Sequence, residues 1–189
     1  MSAAVRDPYC YPGTTVLKNR LNLTIQAELD AFESEVVTQR GLEPLPAGRF
    51  TPTHLRSVHR HLFQDLYPWA GRYRTIRISK GQSMFCCPEH IRTQLQSLFD
   101  WLSRRRHLAG LDADDFACAG AHFLSELNVI HAFREGNGRT QMAFFAMLAD
   151  SVGHPLDLSL LDPQQFLAAM ITAFDSSEQD LAAQIRSLI

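Results

Sequence analysis

Residues 131 to 140, His-Ala-Phe-Arg-Glu-Gly-Asn-Gly-Arg-Thr, bring an imidazole, a carboxylate, two glycines and a guanidinium within one short stretch. Gly136 and Gly138 remove side chains that would block a close approach, and they permit backbone angles in which successive N–H groups converge on one point. Such a nest, continued by the unbonded amides of a helix N-terminus, is a natural phosphate site. Arg139 adds a fork-shaped cation suited to phosphate oxygens, and Asn137 can donate to another oxygen. A carboxylate at Glu135 would be repelled by phosphate unless a cation lay between them. Mg²⁺, which takes one or two carboxylates plus substrate phosphates, is the expected ion. His131 titrates near neutral pH and is the natural general base.

Helices must position this loop. Asp112 can cap one carrying Phe116, Ala119, Phe123, Leu127 and Ile130, which delivers the chain to His131. The run 139–153 that follows is apolar almost all round, which predicts a helix at the centre of the fold, stopped by Gly153. Upstream, Ile25, Leu29, Phe32 and Val36 form a helical stripe with Thr24 as N-cap and Gly41 as stop. Thr51 and Pro52 open a second helix with Leu55, Val58, Leu62, Phe63 and Leu66 inside, ending before Pro68. From Pro88 a third runs through Ile91, Leu95, Leu98, Phe99 and Leu102 to the basic end Arg104-Arg105-Arg106. Asp162-Pro163 and Ser176 or Ser177 open two short helices near the end. Between Tyr73 and Ile78 the period changes to alternation, and Lys80-Gly81-Gln82 supplies a turn before Ser83 to Cys87, which predicts a small hairpin. The fold class is therefore all-α, a helical bundle with one β-hairpin.

At 189 residues and 46% hydrophobic, the chain suits a single domain over residues 1–189. A net charge of -2 leaves no basic footprint for direct nucleic-acid binding. No uninterrupted apolar run is long enough to span a membrane, and the first ten residues lack the apolar core of a signal peptide. Cys10, Cys86, Cys87 and Cys118 form no C-x-x-C pair, so reduced thiols and a cytoplasmic location are expected. His59 and His61, two apart on a helix, face different directions and make a poor metal pair. Cys118 reads as part of an apolar helix face, and Ser83 and Ser125 have no elbow-like glycine setting, which argues against a hydrolase nucleophile.

The stretch His131 to Arg139 resembles the signature of Fic domains (filamentation induced by cAMP), H-P-F-x-[D/E]-G-N-G-R-x-x-R. "DPYCYPGTTVLKNRL", "LFQDLYPWAGRYRTIRISKG" and "ELNVIHAF" look like stretches of its single-domain bacterial members, and the likeness covers most of residues 7–150. The resemblance implies a Fic-type bundle with its signature loop at 131–142 and a flap at about 79–85. It also implies transfer of AMP from ATP, with Mg²⁺, to a protein hydroxyl. On that model His131 deprotonates the hydroxyl, Glu135 holds Mg²⁺, and Gly136, Asn137, Gly138 and Arg139 cradle the phosphates. Phe133 anchors the loop in the core, and Lys80 and Gly81 border the nucleotide. The target protein lies along the flap by strand addition. By resemblance to toxins of this kind, DNA gyrase or topoisomerase IV is the implied target and a small antitoxin the implied regulator.

Two positions depart from the signature. Ala132 replaces proline, and Met142 stands where the second arginine, which in the family reaches the γ phosphate and meets an inhibitory glutamate, would be. Met142 leaves open a weakened enzyme, a nucleotide- or protein-binding module without catalysis, or a different phosphorylated donor. Thr24 to Glu28 matches the core of the inhibitory motif, but Leu29 breaks its end, so Glu28 reads as an ordinary helix-face residue.

Overall fold

The computed structural model describes residues 7–80 and 83–189, with the backbone alone at Lys80 and Ser83. Gly81, expected beside the nucleotide, lies outside the described residues, as does the side chain of Lys80. The elements are α1 (Gln26–Leu42), α2 (Pro52–Phe63), β1 (Ser79–Lys80), β2 (Ser83–Met84), α3 (Ile91–Arg104), α4 (Ala113–Ile130), α5 (Asn137–Ser151), α6 (Pro163–Asp175) and α7 (Gln179–Leu188). The all-α expectation holds, with β1 and β2 pairing antiparallel as the small hairpin.

The helix starts follow capping chemistry where a side-chain oxygen is placed to use it. Thr51 accepts from the His54 amide, and Pro52 occupies the first turn of α2 where its missing N–H costs nothing. Asp112 accepts from the amides of Asp114 and Asp115, and Asp162 does the same for α6. The expected cap at Thr24 fails: α1 is preceded by Ile25, with no side-chain cap, and Ile25 is left 56% exposed instead of joining the stripe.

It is α4, and not α5, that the bundle wraps, for α4 packs against α3, α5, α6 and α7. One face of α5 is buried through Thr140, Gln141, Phe144, Phe145 and Leu148, while Met142, Ala143, Ala146 and Met147 stay half-exposed. Phe144 is the hub of the inner layer, meeting Phe50 and Phe99 edge-on and Phe123 face-on at 5.6–6.2 Å between centroids. Each such ring contributes roughly 1.5–3 kcal/mol by leaving water. Cys118, expected within an apolar face, is exposed, and the four cysteines are free. Among the described residues no helix is long and apolar enough to cross a membrane.

The expected strand over residues 73–78 is not one. Its alternation arises because Arg74 turns fully inward, at 2% exposure, while Thr75 and Arg77 are exposed. Among the described residues of this stretch, Ser79–Lys80 and Ser83–Met84 make the ladder bonds, with Ser79 opposite Met84 and Lys80 opposite Ser83.

Candidate functional site

The loop between α4 and α5 is a connection from one helix C-terminus to the next N-terminus. α4 ends on His131, whose backbone is left-handed at φ 47° and whose amide bonds the Leu127 carbonyl at 3.1 Å. That turn lifts the imidazole out of the helix. Its ring stacks on Phe85, just past β2, at 3.8 Å between centroids. Nδ1 lies 3.2 Å from the Asn128 carbonyl oxygen, which can only accept, so the neutral ring carries its proton on Nδ1 and its lone pair on Nε2.

Gly136 opens α5 at φ 79°, and a Cβ there would meet the Phe63 ring at 2.2 Å, so both angle and space demand glycine. The amides of Asn137, Gly138 and Arg139 fall in the first helical turn, where no preceding helical carbonyl can take them. The first ladder bond is from the Thr140 amide to the Gly136 carbonyl at 3.1 Å. Gly138 and Arg139 are exposed, so this positive end faces outward. A Cβ on Gly138 would meet no atom within 4 Å. Gly136→Ala is therefore expected to destabilise the fold by about 2 kcal/mol or more. Gly138→Ala should leave the melting temperature unchanged or higher while weakening tripolyphosphate binding about tenfold. Thermal melts paired with calorimetry check both.

Asn137 departs from its expected role. Its side chain is turned inward at 4% exposure, with Oδ1 accepting from the Phe133 amide at 2.9 Å and Nδ2 donating to the Phe133 carbonyl at 2.8 Å. It closes the loop, so the side chain is not available to a phosphate. Phe133 is buried, stacked on His59 at 3.8 Å. Glu135 is 43% exposed, with Oε1 accepting from the Gly136 amide at 2.9 Å and lying 3.6 Å from Arg139. Arg134 donates from Nε and Nη2 to Asp7 at 3.0 and 2.7 Å, tying the N-terminal segment to the loop. Burial opposes the charge on Asp7, yet the Tyr9 amide and Arg134 together hold its carboxyl below the usual value.

Four residues outside the loop complete the site, none of them assigned to it from sequence. Glu33 lies on the buried row of α1 between Leu29 and Val37, and takes Arg139 on Oε1 and the Tyr67 hydroxyl on Oε2. Burial and then Glu33 push the Tyr67 hydroxyl above its usual pKa, which keeps it a donor. Arg139 thus lies between Glu33 and the face of Phe63, 4.8 Å from its centroid. Glu28 is exposed on the same helix, as expected of an ordinary surface residue. An acid at the centre of a buried helical row was the signal for Glu33.

His59 sits on the buried row of α2 between Leu55 and Phe63. Nδ1 accepts from the Gly71 amide at 2.8 Å, and Nε2 donates to the Glu135 carbonyl at 3.0 Å, which fixes a neutral ring. His61 bonds elsewhere, to the Arg40 carbonyl, so the two histidines do diverge. Burial, with a smaller push from Arg139, drives the His59 pKa down to about 4 from 6.5. The unfolded chain takes this proton below 6.5 and the folded chain refuses it until about 4, so stability falls on acidification across that window. The loss should approach about 3 kcal/mol at the acid end. Urea midpoints measured down the pH scale should show it, and His59→Gln should flatten the slope.

Arg74 joins loop and hairpin. Its Nε donates to the His131 carbonyl at 2.7 Å, Nη1 to Ile76 at 2.7 Å, and Nη2 to Cys86 and Ile130. The Ile130 and His131 carbonyls are the negative end of α4, so the buried cation meets a helix pole where a carboxylate would otherwise be needed. Burial lowers its pKa from the usual arginine value.

Among the described residues no cluster of three or more His, Cys, Asp or Glu could hold a metal. The lone outward carboxylate of Glu135, beside an amide-lined end, still fits Mg²⁺, which is held by one or two carboxylates together with phosphate oxygens.

Comparison with known proteins agrees with this geometry. The model of the Fic/DOC family matches residues 49–149. The chain is 49% identical to the probable protein adenylyltransferase y4lH of Sinorhizobium fredii, over 98% of this chain and 97% of that one. It is 35% identical to the protein adenylyltransferase VbhT of Bartonella schoenbuchensis over 95% of this chain, spanning 38% of that longer protein. The crystal structure of BepC, a VirB-translocated effector of Bartonella tribocorum with bound AMPPNP, superposes with a TM-score of 0.86 at 26% identity, covering 95% of each chain. With the loop, the helix junction and the sequence relatives in agreement, the chain belongs to the Fic/DOC family.

Proposed function

We propose that this chain is a protein adenylyltransferase that transfers AMP from ATP to a hydroxyl side chain of a target protein in the cytoplasm. One observation carries the reading: the Nδ1–Asn128 contact places the lone pair of the neutral His131 ring on Nε2, in the loop that leads into a helix N-terminus where Gly138 and Arg139 are exposed. The naming of y4lH and VbhT as adenylyltransferases and the AMPPNP bound to BepC support it.

In the reaction the target oxygen attacks the α phosphorus, the bond to the bridging oxygen of the β phosphate breaks, and pyrophosphate leaves with that oxygen. Nε2 of His131 accepts the hydroxyl proton. The first-turn amides and Arg139 hold phosphate oxygens, with the guanidinium aligned by Glu33, whose other oxygen takes the Tyr67 hydroxyl. Glu135 would hold Mg²⁺ together with phosphate oxygens, and the ion would neutralise charge on the departing pyrophosphate. The β1–β2 hairpin registers an extended target segment by strand addition. Gyrase or topoisomerase IV as the target, and a small protein antitoxin, complete the proposal by likeness to toxins of this family.

The test is incubation with Mg²⁺, α-labelled ATP and a bacterial lysate, followed by the same assay on purified gyrase and topoisomerase IV. A labelled band that disappears on chelation is expected. Absence of any labelled protein overturns the transferase reading, and unlabelled topoisomerases alongside a labelled lysate protein overturn only the target.

A second reading, a nucleotide-binding module with little catalysis or a transferase for another phosphorylated donor, is favoured by half-exposed Met142. It brings neither charge nor donor where the family signature has arginine. Met142→Arg is expected to speed transfer from ATP about ten- to hundredfold by supplying one charge-assisted hydrogen bond. No gain in a single-turnover assay would remove Met142 as the cause of slow transfer.

A further inference from the structure

A cavity of about 490 Å³ opens where the two legs of the hairpin meet the bundle, lined by Tyr73, Arg74, Thr75, Arg77, Pro88, Glu89 and Arg92. One leg runs from Tyr73 to β1, the other from β2 to α3. The Phe85 amide bonds the Ile78 carbonyl at 3.4 Å and so fastens the legs just above it. The guanidiniums of Arg56 and Arg92 lie over the Tyr73 ring, 5.2 and 5.6 Å from its centroid.

These cations differ from the protein's other paired arginines. Arg40, Arg134, Arg139 and Arg186 each meet a carboxylate. Arg56 spends Nε on the Gly71 carbonyl at 2.8 Å, and among the described residues neither it nor exposed Arg77 and Arg92 forms an ion pair. Glu89 is the single carboxylate of the lining. In a chain of net charge -2, this concentrates positive charge beside the hairpin.

We propose that this cavity docks a carboxylate-bearing segment of the target protein, continuous with the strand that pairs with the hairpin. The inference rests on the transferase reading for the target's identity, not for the binding chemistry. Guanidinium forks match carboxylates in pairs. The Tyr73 face, already covered by two guanidiniums, is not a platform on which nucleic-acid bases stack.

The experiment is fluorescence anisotropy with a labelled peptide alternating Glu and Thr and with its Gln counterpart, run beside calorimetry with Mg²⁺ and ATP. The Gln peptide is expected to bind about tenfold more weakly or worse, and Arg77→Glu with Arg92→Glu to weaken the acidic peptide as much. Arg77→Lys with Arg92→Lys should keep most of the binding, and ATP affinity should be equal in all three proteins. Equal affinity for both peptides, indifference to charge reversal, or tighter binding of a uridine oligonucleotide overturns the proposal. Peptide discrimination without ATP binding in the wild type would leave the pocket standing and remove the transferase reading.

Discussion

Replacement of His131 by alanine is expected to slow AMP transfer by about a hundred- to ten-thousandfold, the usual contribution of a positioned general base. ATP binding and melting temperature should stay near wild type, because the lost ring is half-buried rather than part of the core, stacked on Phe85 with Nδ1 3.2 Å from the Asn128 carbonyl oxygen. His131→Asn is the companion variant, since asparagine accepts the left-handed backbone at φ 47° and separates loss of the base from strain in the turn. Single-turnover label transfer with saturating ATP is the measurement. Near-normal rates in both variants would mean that another group takes the proton.

Exchange of Arg74 for methionine is expected to cost about 3–6 kcal/mol of stability, because it strands the carbonyls of His131, Ile76, Cys86 and Ile130 without a donor. Methionine fills similar volume, so the loss reports the hydrogen bonds rather than a cavity. Arg74→Lys should recover little, since an ammonium is a point charge on a flexible stem and cannot span four carbonyls as a planar fork does. Urea unfolding followed by circular dichroism measures the loss. A stability loss below about 1 kcal/mol, from the midpoint shift and slope, would show that hairpin and loop hold together without the guanidinium.

What could be read from the sequence was local. The carboxylate, both glycines and Arg139 lie within five residues of one another, so spacing alone placed them at one helix start. The residues it missed reach the loop from far along the chain: the Arg139–Glu33 pair spans 106 positions and the His59–Glu135 bond spans 76. A periodic pattern records that a position is buried, not what it meets there. Glu33 and His59 both break buried helical rows, and such polar interruptions were the only trace they left. Asn137 shows the converse error, because a side chain able to bond phosphate bonds its own backbone when that closes a turn. The alternation over residues 73–78 misled for a related reason, since one inward arginine can imitate a pleat. Thr24 failed as a cap because the helix begins after Ile25, beyond the reach of its hydroxyl.

The paired bonds between Asn137 and the Phe133 backbone carry a kinetic consequence. A turn already shut by its own amide side chain enters association in its final shape, so little conformational freedom is surrendered when an anion arrives. Capture by such a pre-set cradle should be quick and weakly temperature-dependent, which places discrimination between donors in the speed of their release.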